Sequence, residues 1–430
     1  MLNYVKRIRN LFRTGFFHIF GSSVINKIIS FLSSIVLVRI LTKSEYGLFA
    51  YVWNIYSILL LFNGLGLESS MLQLCSENGG DIQYINKICR YSLKLGLYYD
   101  LVISLILMAI GLFIPLKING SGSLLLMLCM LPGLQYVFCI ILVYLRSQKR
   151  NKEYARINIC YTVFNFFGQV CGAILYKEKG MILGSYAGVL ISIGAALFCV
   201  KEIKGVLGSS NAVEAAEKRV LVSIGTVSML NNGISQMMYL LDVFVIGIVA
   251  ADETILAAYK VATVIPTALT FIPASLVTYI YPYFAEHRND GAWCLGRYKI
   301  ILRYFGLLNL CISGILVVLA PYIIPIIFGV KYNDAETILI FRLLAVNYFF
   351  SGTFRVIAGN LLVTQRKLRF NSFVAIVSGC INVTADFILI SKMGARGAAV
   401  ATILVVVFSA VMNTSYIIYT FKKNITSKCN

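Results

Sequence analysis

The sequence predicts an all-α integral membrane protein of about twelve transmembrane helices arranged as two parallel six-helix bundles. Three observations predict it: a composition that water cannot solvate, apolar windows of membrane-spanning length along the whole chain, and basic residues that alternate between successive loops.

Of 430 residues, 59% are hydrophobic and 13% charged, and the mean hydropathy is +0.82. The charged share is about half that of a soluble domain, so lipid must be the solvent for most of the chain. The net charge of +20 would point to nucleic acid in a soluble protein. Here the Lys and Arg sit at the ends of apolar runs with no aromatic platform for stacking bases, and nucleic acid is not an expected partner. Eleven Cys scattered singly, without CxxC spacing, and two His, His18 and His287, give no zinc site or disulfide framework. No metal site and no cofactor are expected.

A helix needs about 20 apolar residues to cross a hydrocarbon core of about 30 Å. The first such window, 16–41, follows Lys6, Arg7, Arg9 and Arg13. It exceeds the apolar core of about 7–15 residues of a signal peptide, and so reads as a retained span. The others are 46–70, 90–114, 123–145, 157–176, 181–200, 220–249, 254–280, 300–324, 337–361, 372–391 and 397–421. With the amino terminus inside, the inner segments gather Arg146, Lys149, Arg150, Lys152 and Arg156; Lys201, Lys204, Lys218 and Arg219; Arg288, Arg297, Lys299 and Arg303; Arg366, Lys367 and Arg369; and Lys422, Lys423 and Lys428. The outer loops hold far fewer. By the positive-inside rule both termini are expected in the cytoplasm, and most of the net charge is orientation. The expected organisation is a six-helix bundle over 1–205, a cytoplasmic linker over 206–219 with a short amphipathic stretch from Asn211, and a second bundle over 220–430. No loop is long enough for a catalytic domain, so no catalytic residues and no enzyme activity are expected.

The halves repeat. Asn165 and Asn382, Gly180-Met181-Ile182 and Gly397-Ala398-Ala399, and Ser147-Gln148-Lys149-Arg150 and Thr364-Gln365-Arg366-Lys367 are each 217 residues apart. Ala50-Tyr51 matches Ala258-Tyr259 at an offset of 208. Six spans per half make the copies parallel, an architecture of secondary transporters with the substrate path between the halves.

In the first span Ser23, Lys27, Ser30 and Ser34 fall on one helix face, flanked by Asn26. In the seventh, Ser228, Asn232, Ser235, Tyr239 and Asp242 repeat the pattern, and Ser34 maps onto Asp242. Two symmetry-related polar faces suit a water-filled cavity, with helix-to-helix hydrogen bonding as the bland alternative. An ammonium at mid-membrane costs roughly 2.5–3.5 kcal/mol on insertion scales. Lys27 therefore needs water or a partner, and Lys260 and Arg355 are further cavity cations or snorkelling residues. Among acids, Asp242 is deepest in its span. It reads either as the counter-ion of Lys260 or as an H+ or Na+ coupling site, with Glu68 and Asp386 as lesser candidates that lie nearer span ends.

Three segments stand out: Val38-Arg39-Ile40-Leu41 through Glu45-Tyr46-Gly47-Leu48-Phe49, Asp242-Val243-Phe244-Val245-Ile246-Gly247 with Ala257-Ala258-Tyr259, and Ile381-Asn382-Val383 through Gly394-Ala395-Arg396-Gly397-Ala398-Ala399. On them the chain resembles the polysaccharide-transporter branch of the multidrug/oligosaccharidyl-lipid/polysaccharide (MOP) exporter superfamily. The resemblance implies a V of two six-helix bundles around a cavity, working by alternating access. It further implies flipping of undecaprenyl-pyrophosphate-linked oligosaccharide from the inner to the outer leaflet of a bacterial cytoplasmic membrane, for O-antigen, capsule or exopolysaccharide. Lipids and other polysaccharide-assembly membrane proteins are the implied partners. Family members often carry cations where Lys27 and Lys260 stand. The two extra carboxy-terminal spans of the lipid II flippase branch and the span-1 proline of drug extruders have no counterpart here. Cation-coupled efflux of drugs or metabolites is the alternative function, and a membrane glycosyltransferase or polymerase a more remote one.

Overall fold

The computed structural model describes residues 16–77, 81–200 and 213–429. The described chain is helical: α1 Phe16–Ile40, α2 Lys43–Leu60, α3 Leu67–Glu77, α4 Ile82–Phe113, α5 Ser121–Met127, α6 Leu131–Ser147, α7 Asn151–Cys199, α8 Ala215–Val249, α9 Glu253–Leu269, α10 Phe271–Glu286, α11 Gly291–Phe328, α12 Ala335–Phe350, α13 Val356–Thr364, α14 Leu368–Met393 and α15 Ala395–Cys429. All twelve apolar windows fall within these helices and the short breaks between consecutive ones. Among the described residues nine helices are long and apolar enough to cross a membrane, ten if α5 and α6, bent by 40°, make one span. The chain is therefore a multi-pass membrane protein.

One of these helices is really two. Within α7 the backbone leaves helical geometry at Tyr176 and Lys177, and the arms fold back on one another. A Cβ on Gly172 would lie 1.9 Å from the Gly180 carbonyl oxygen, and one on Gly184 2.0 Å from that of Gly168. Only glycine permits that approach, so the spacing Gly168, Gly172, Gly180, Gly184 is what closes the hairpin. The fifth and sixth windows are its two arms.

The repeat seen in the sequence is also one of backbone conformation. Lys177 has φ 54° and ψ −133°, and Gly394, 217 residues on, has φ 60° and ψ −141° in the turn between α14 and α15. Lys149 and Arg366, again 217 apart, are both left-handed, at φ 60° and 59°. Each closes the same helix end: Arg150 N–H to Leu145 O at 3.0 Å and Lys149 N–H to Arg146 O at 2.9 Å, against Lys367 to Leu362 at 2.9 Å and Arg366 to Val363 at 3.0 Å.

The chain divides into two compact units, Met1–Leu240 and Leu241–Asn430. The first half of the expected linker, 206–212 with Asn211, lies outside the described residues, as does the amino-terminal basic run. The division falls within α8, which leaves unit 1 and enters unit 2. Its start is held in unit 1 by an ion pair between Glu217 and Lys87 at 2.7 Å. Unit 1 centres on a cluster including Met71, Ile88, Tyr136 and Tyr144, and unit 2 has one including Phe284, Tyr298, Leu361 and Phe421.

Acidic residues are few, and many of them begin helices. Asp81, Asp252, Asp290 and Asp334 each accept a backbone N–H as an N-cap, and Thr42 with Glu45 forms a reciprocal capping box. Each cap is worth about 1 kcal/mol. Asp242, Asp386 and Asp100 lie inside apolar helices with no such use, while Glu68 stands in the first turn of α3.

Candidate functional site

In unit 2, four helices bring polar side chains together around Asp242, which is buried near the end of α8 at 6% exposure. Its Oδ2 accepts the Tyr259 hydroxyl at 2.6 Å and lies 2.8 Å from Thr402 Oγ1. Its Oδ1 accepts Asn382 Nδ2 at 3.3 Å. Tyr259 stands on α9 two turns after its Asp252 cap. Asn382 and Asp386, four apart on α14, share one face. Thr402 lies on α15, across the Gly394 turn, and Gly397 lets the two helices meet: a Cβ there would be 2.2 Å from Leu389 O.

Asp386 is fully buried at 0%, and its carboxyl faces that of Asp242. Neither of its oxygens has a protein donor, and Asn382 Oδ1 is likewise buried and unpartnered. Two carboxylates that face each other away from water cannot both stay charged unless a proton or a cation lies between them. Two carboxyl groups, an amide oxygen and a hydroxyl form a hard oxygen donor set of the kind that holds a proton or an alkali cation.

Lys260 follows Tyr259 and is half-buried. It feels the charge of Asp242, but among the described residues no ion pair joins them, and the direct partners of Asp242 are a phenol, an amide and a hydroxyl. Asp386, read from the sequence as near a span end, is two turns inside α14 and wholly enclosed. Glu68 is elsewhere, on α3 of unit 1. On α1, Ser23, Lys27 and Ser30 are exposed and Asn26 and Ser34 half-buried; Ser34 Oγ bonds back to Ser30 O at 3.0 Å. Asn232 is exposed. The side chains of Ser235 and Tyr239 lie outside the described residues. Arg355 closes a π-turn over Ser351–Arg355, a helical irregularity frequent at functional sites. Asn309 braces that turn, donating to Thr353 Oγ1 at 3.1 Å and accepting from Tyr348 at 3.0 Å.

Tyr259, Asn382 and Thr402 were not among the site residues expected from the sequence. Asn382 carried a signal, its 217-residue pairing with Asn165. Tyr259 carried another, its 208-residue pairing with Tyr51, whereas the Thr402 hydroxyl in an apolar helix carries none.

A multi-pass bundle of long apolar helices is a membrane-protein fold. The solved structures similar to the chain agree: a lipid II flippase MurJ in an inward closed conformation (13% identity, 96% of this chain and 90% of that one covered, TM-score 0.73), an inward-facing multidrug resistance MATE family transporter of the MOP superfamily (11%, 94% and 96%, 0.74), and a MOP superfamily transporter from Pyrococcus furiosus (12%, 96% and 96%, 0.60). The fold is that of the MOP superfamily. The chain belongs to the family described as polysaccharide biosynthesis protein, which matches residues 36–337. No curated protein matches it.

Proposed function

We propose that the protein flips an undecaprenyl-pyrophosphate-linked oligosaccharide from the inner to the outer leaflet of a bacterial cytoplasmic membrane, driven by H+ or Na+ bound between Asp242 and Asp386. The observation that carries the reading is the burial of these two acids against each other in a member of a polysaccharide biosynthesis family. Family membership supports a saccharide cargo, and the similarity of fold to a lipid II flippase supports a lipid-linked one. A diphosphate cannot cross hydrocarbon bare, and Lys27, Lys260 and Arg355 are the cations proposed to meet it. Ser23, Asn26, Ser30 and Ser34 of α1 and Asn232, Ser235 and Tyr239 of α8 are the proposed sugar-facing row. The loop charges support a cytoplasmic position for both termini, with 1–205 and 220–430 as the two halves proposed to alternate.

The test is reconstitution in proteoliposomes with a fluorescent polyprenyl-pyrophosphate oligosaccharide, reading its exposure to an impermeant lectin. Ion-dependent flipping that is lost in Lys27→Ala, with the protein still inserted, is the expected result. Export of small cationic dyes without movement of the lipid would replace it with drug efflux, and polymerised sugar product would replace it with an enzyme.

A further inference from the structure

Unit 1 holds an acidic site of its own. Asp100, on α4, is 1% exposed. Its Oδ1 accepts the Gly64 N–H at 2.7 Å, and its Oδ2 is buried without a partner. Gly64 belongs to the break between α2 and α3, where Gly64, Leu65 and Gly66 are all left-handed, at φ 57°, 54° and 67°. The titratable groups that face Asp100 are Tyr56 on α2, Glu68 on α3, and Tyr136 and Cys139 on α6. The break itself and α5 bring none. The Tyr56 hydroxyl is taken by Gln135 at 3.1 Å and that of Tyr136 by Ser92 O at 2.8 Å, while the Cys139 thiol bonds Glu68. Every facing group is acidic or neutral, so among the described residues none compensates the free oxygen of Asp100, and a buried acceptor left bare is costly.

We propose that Asp100 is a proton-binding site in unit 1, with Glu68 as the like charge that faces it. One proton from water is taken up on Asp100 Oδ2; no other bond is made or broken. The same carboxyl anchors the break through Gly64, so uptake replaces a charge-assisted hydrogen bond with a weaker neutral one. The break in turn seats α8: a Cβ on Gly66 would lie 2.3 Å from the Gly225 carbonyl oxygen, backbone against backbone. Asp242 stands further along this same helix, about 25 Å on at 1.5 Å per residue. Proton occupancy at Asp100 therefore acts on the segment that holds the first half of α8. The site is separate from Asp242 and does not depend on the coupling proposed there.

The experiment is amide hydrogen exchange with mass spectrometry on the full chain in lipid nanodiscs. Protection of the peptide spanning Gly64–Gly66, corrected for intrinsic rates, is followed from about pH 5 to about pH 9 at fixed sodium. The wild type should lose protection on acidification in a single-proton step of about fivefold or more. Asp100→Asn keeps an acceptor for the Gly64 N–H and should be flat. Glu68→Gln, by removing a like charge, should move the midpoint to lower pH. Asp242→Asn should leave the step in place even where it stops transport, which separates this site from the other. A flat wild-type profile, a step that persists in Asp100→Asn, or a step that follows sodium instead of pH overturns the proposal. If Asp100→Asn does not fold, an unmoved midpoint in Glu68→Gln overturns it alone.

Discussion

The two units carry the same polar constellation in two chemical versions. In unit 1, Gln169 Nε2 donates to Asn165 Oδ1 and to Ser185 Oγ, both at 3.0 Å, and Ser185 bonds back to Met181 O. In unit 2, 217 residues on, the same positions are Asp386, Asn382 and Thr402, and Thr402 bonds back to Ala398 O. Where Asp242 enters the second cluster, the equivalent residue of the first is Ser34. Two neutral residues in unit 1 thus stand where unit 2 has two acids. The neutral version closes on itself, because an amide both donates and accepts. The acidic version cannot, because carboxylates only accept, and it is left with unfilled oxygens. One scaffold gives a satisfied contact in one unit and buried acceptors without donors in the other.

The most direct way to break this contrast is Asp242→Asn. A hydrogen bond to a charged group is worth about 1.5–3 kcal/mol, so losing one such contact to the bound ion should weaken its affinity about 10- to 150-fold. Transport measured against sodium or proton concentration should shift accordingly. An unchanged ion dependence would mean the cluster is only structural.

Asp386→Gln sharpens it, since it installs in unit 2 the residue that unit 1 already uses. The amide can then donate within the cluster as Gln169 does. The protein should fold with its thermal midpoint within about 5 °C of wild type and lose ion-driven transport. A variant that unfolds instead would show that the two clusters are not interchangeable frames.

The turns differ in a second respect. The arms of α7 meet glycine on glycine, whereas in unit 2 Gly397 faces Leu389. Gly172→Ala should therefore cost more than a substitution at a half-buried glycine with open space beside it, such as Gly379: about 1–3 kcal/mol for forcing a methyl into a packed contact, against under about 1 kcal/mol. Thermal unfolding in detergent reads the difference.

Much of this frame was legible from composition and spacing. Twelve apolar windows, and an asparagine and a glycine repeated at 217, locate the helices and pair the hairpins. Asp242 and Asp386 stood out as acids in apolar runs. Thr402 did not, because Ser and Thr hydroxyls in apolar helices commonly bond to their own preceding turn, as Ser34, Ser185 and Thr402 all do, and nothing local marks the one that also reaches another helix; Tyr259 did not, because a tyrosine in an apolar helix reads as one more aromatic core residue. The left-handed break at Asn63–Gly66 was hidden for a related reason. It lies inside an otherwise continuous apolar window, and what fixes it is the Asp100 carboxylate from another helix. Acids in lipid-facing sequence are easy to see; the partners that give them a role are chosen by packing.

The smallest expected effect lies at the other end of α8. Here Glu217 meets Lys87 at 2.7 Å and Lys218 lies over the Tyr91 ring at 5.5 Å, so an acid with a cation beside it fastens the start of the helix, whereas Asp242 near its end has none in contact among the described residues. The Lys87 ammonium holds the Glu217 carboxyl below the usual carboxylate range, against partial burial, with a backbone N–H at Glu214 helping. A carboxyl lowered in the folded state stabilises it above the unfolded value of about 4.3, and that stabilisation is lost as the pH falls through the lowered value. For a pair this accessible the contribution is about 0–1 kcal/mol and screened by salt. Glu217→Gln should therefore lower the thermal midpoint slightly at neutral pH, with the gap to wild type closing in acid and in high salt. A gap that stays constant with pH would mean that Glu217 acts by packing alone and that the two ends of α8 do not differ in the way their charges are met.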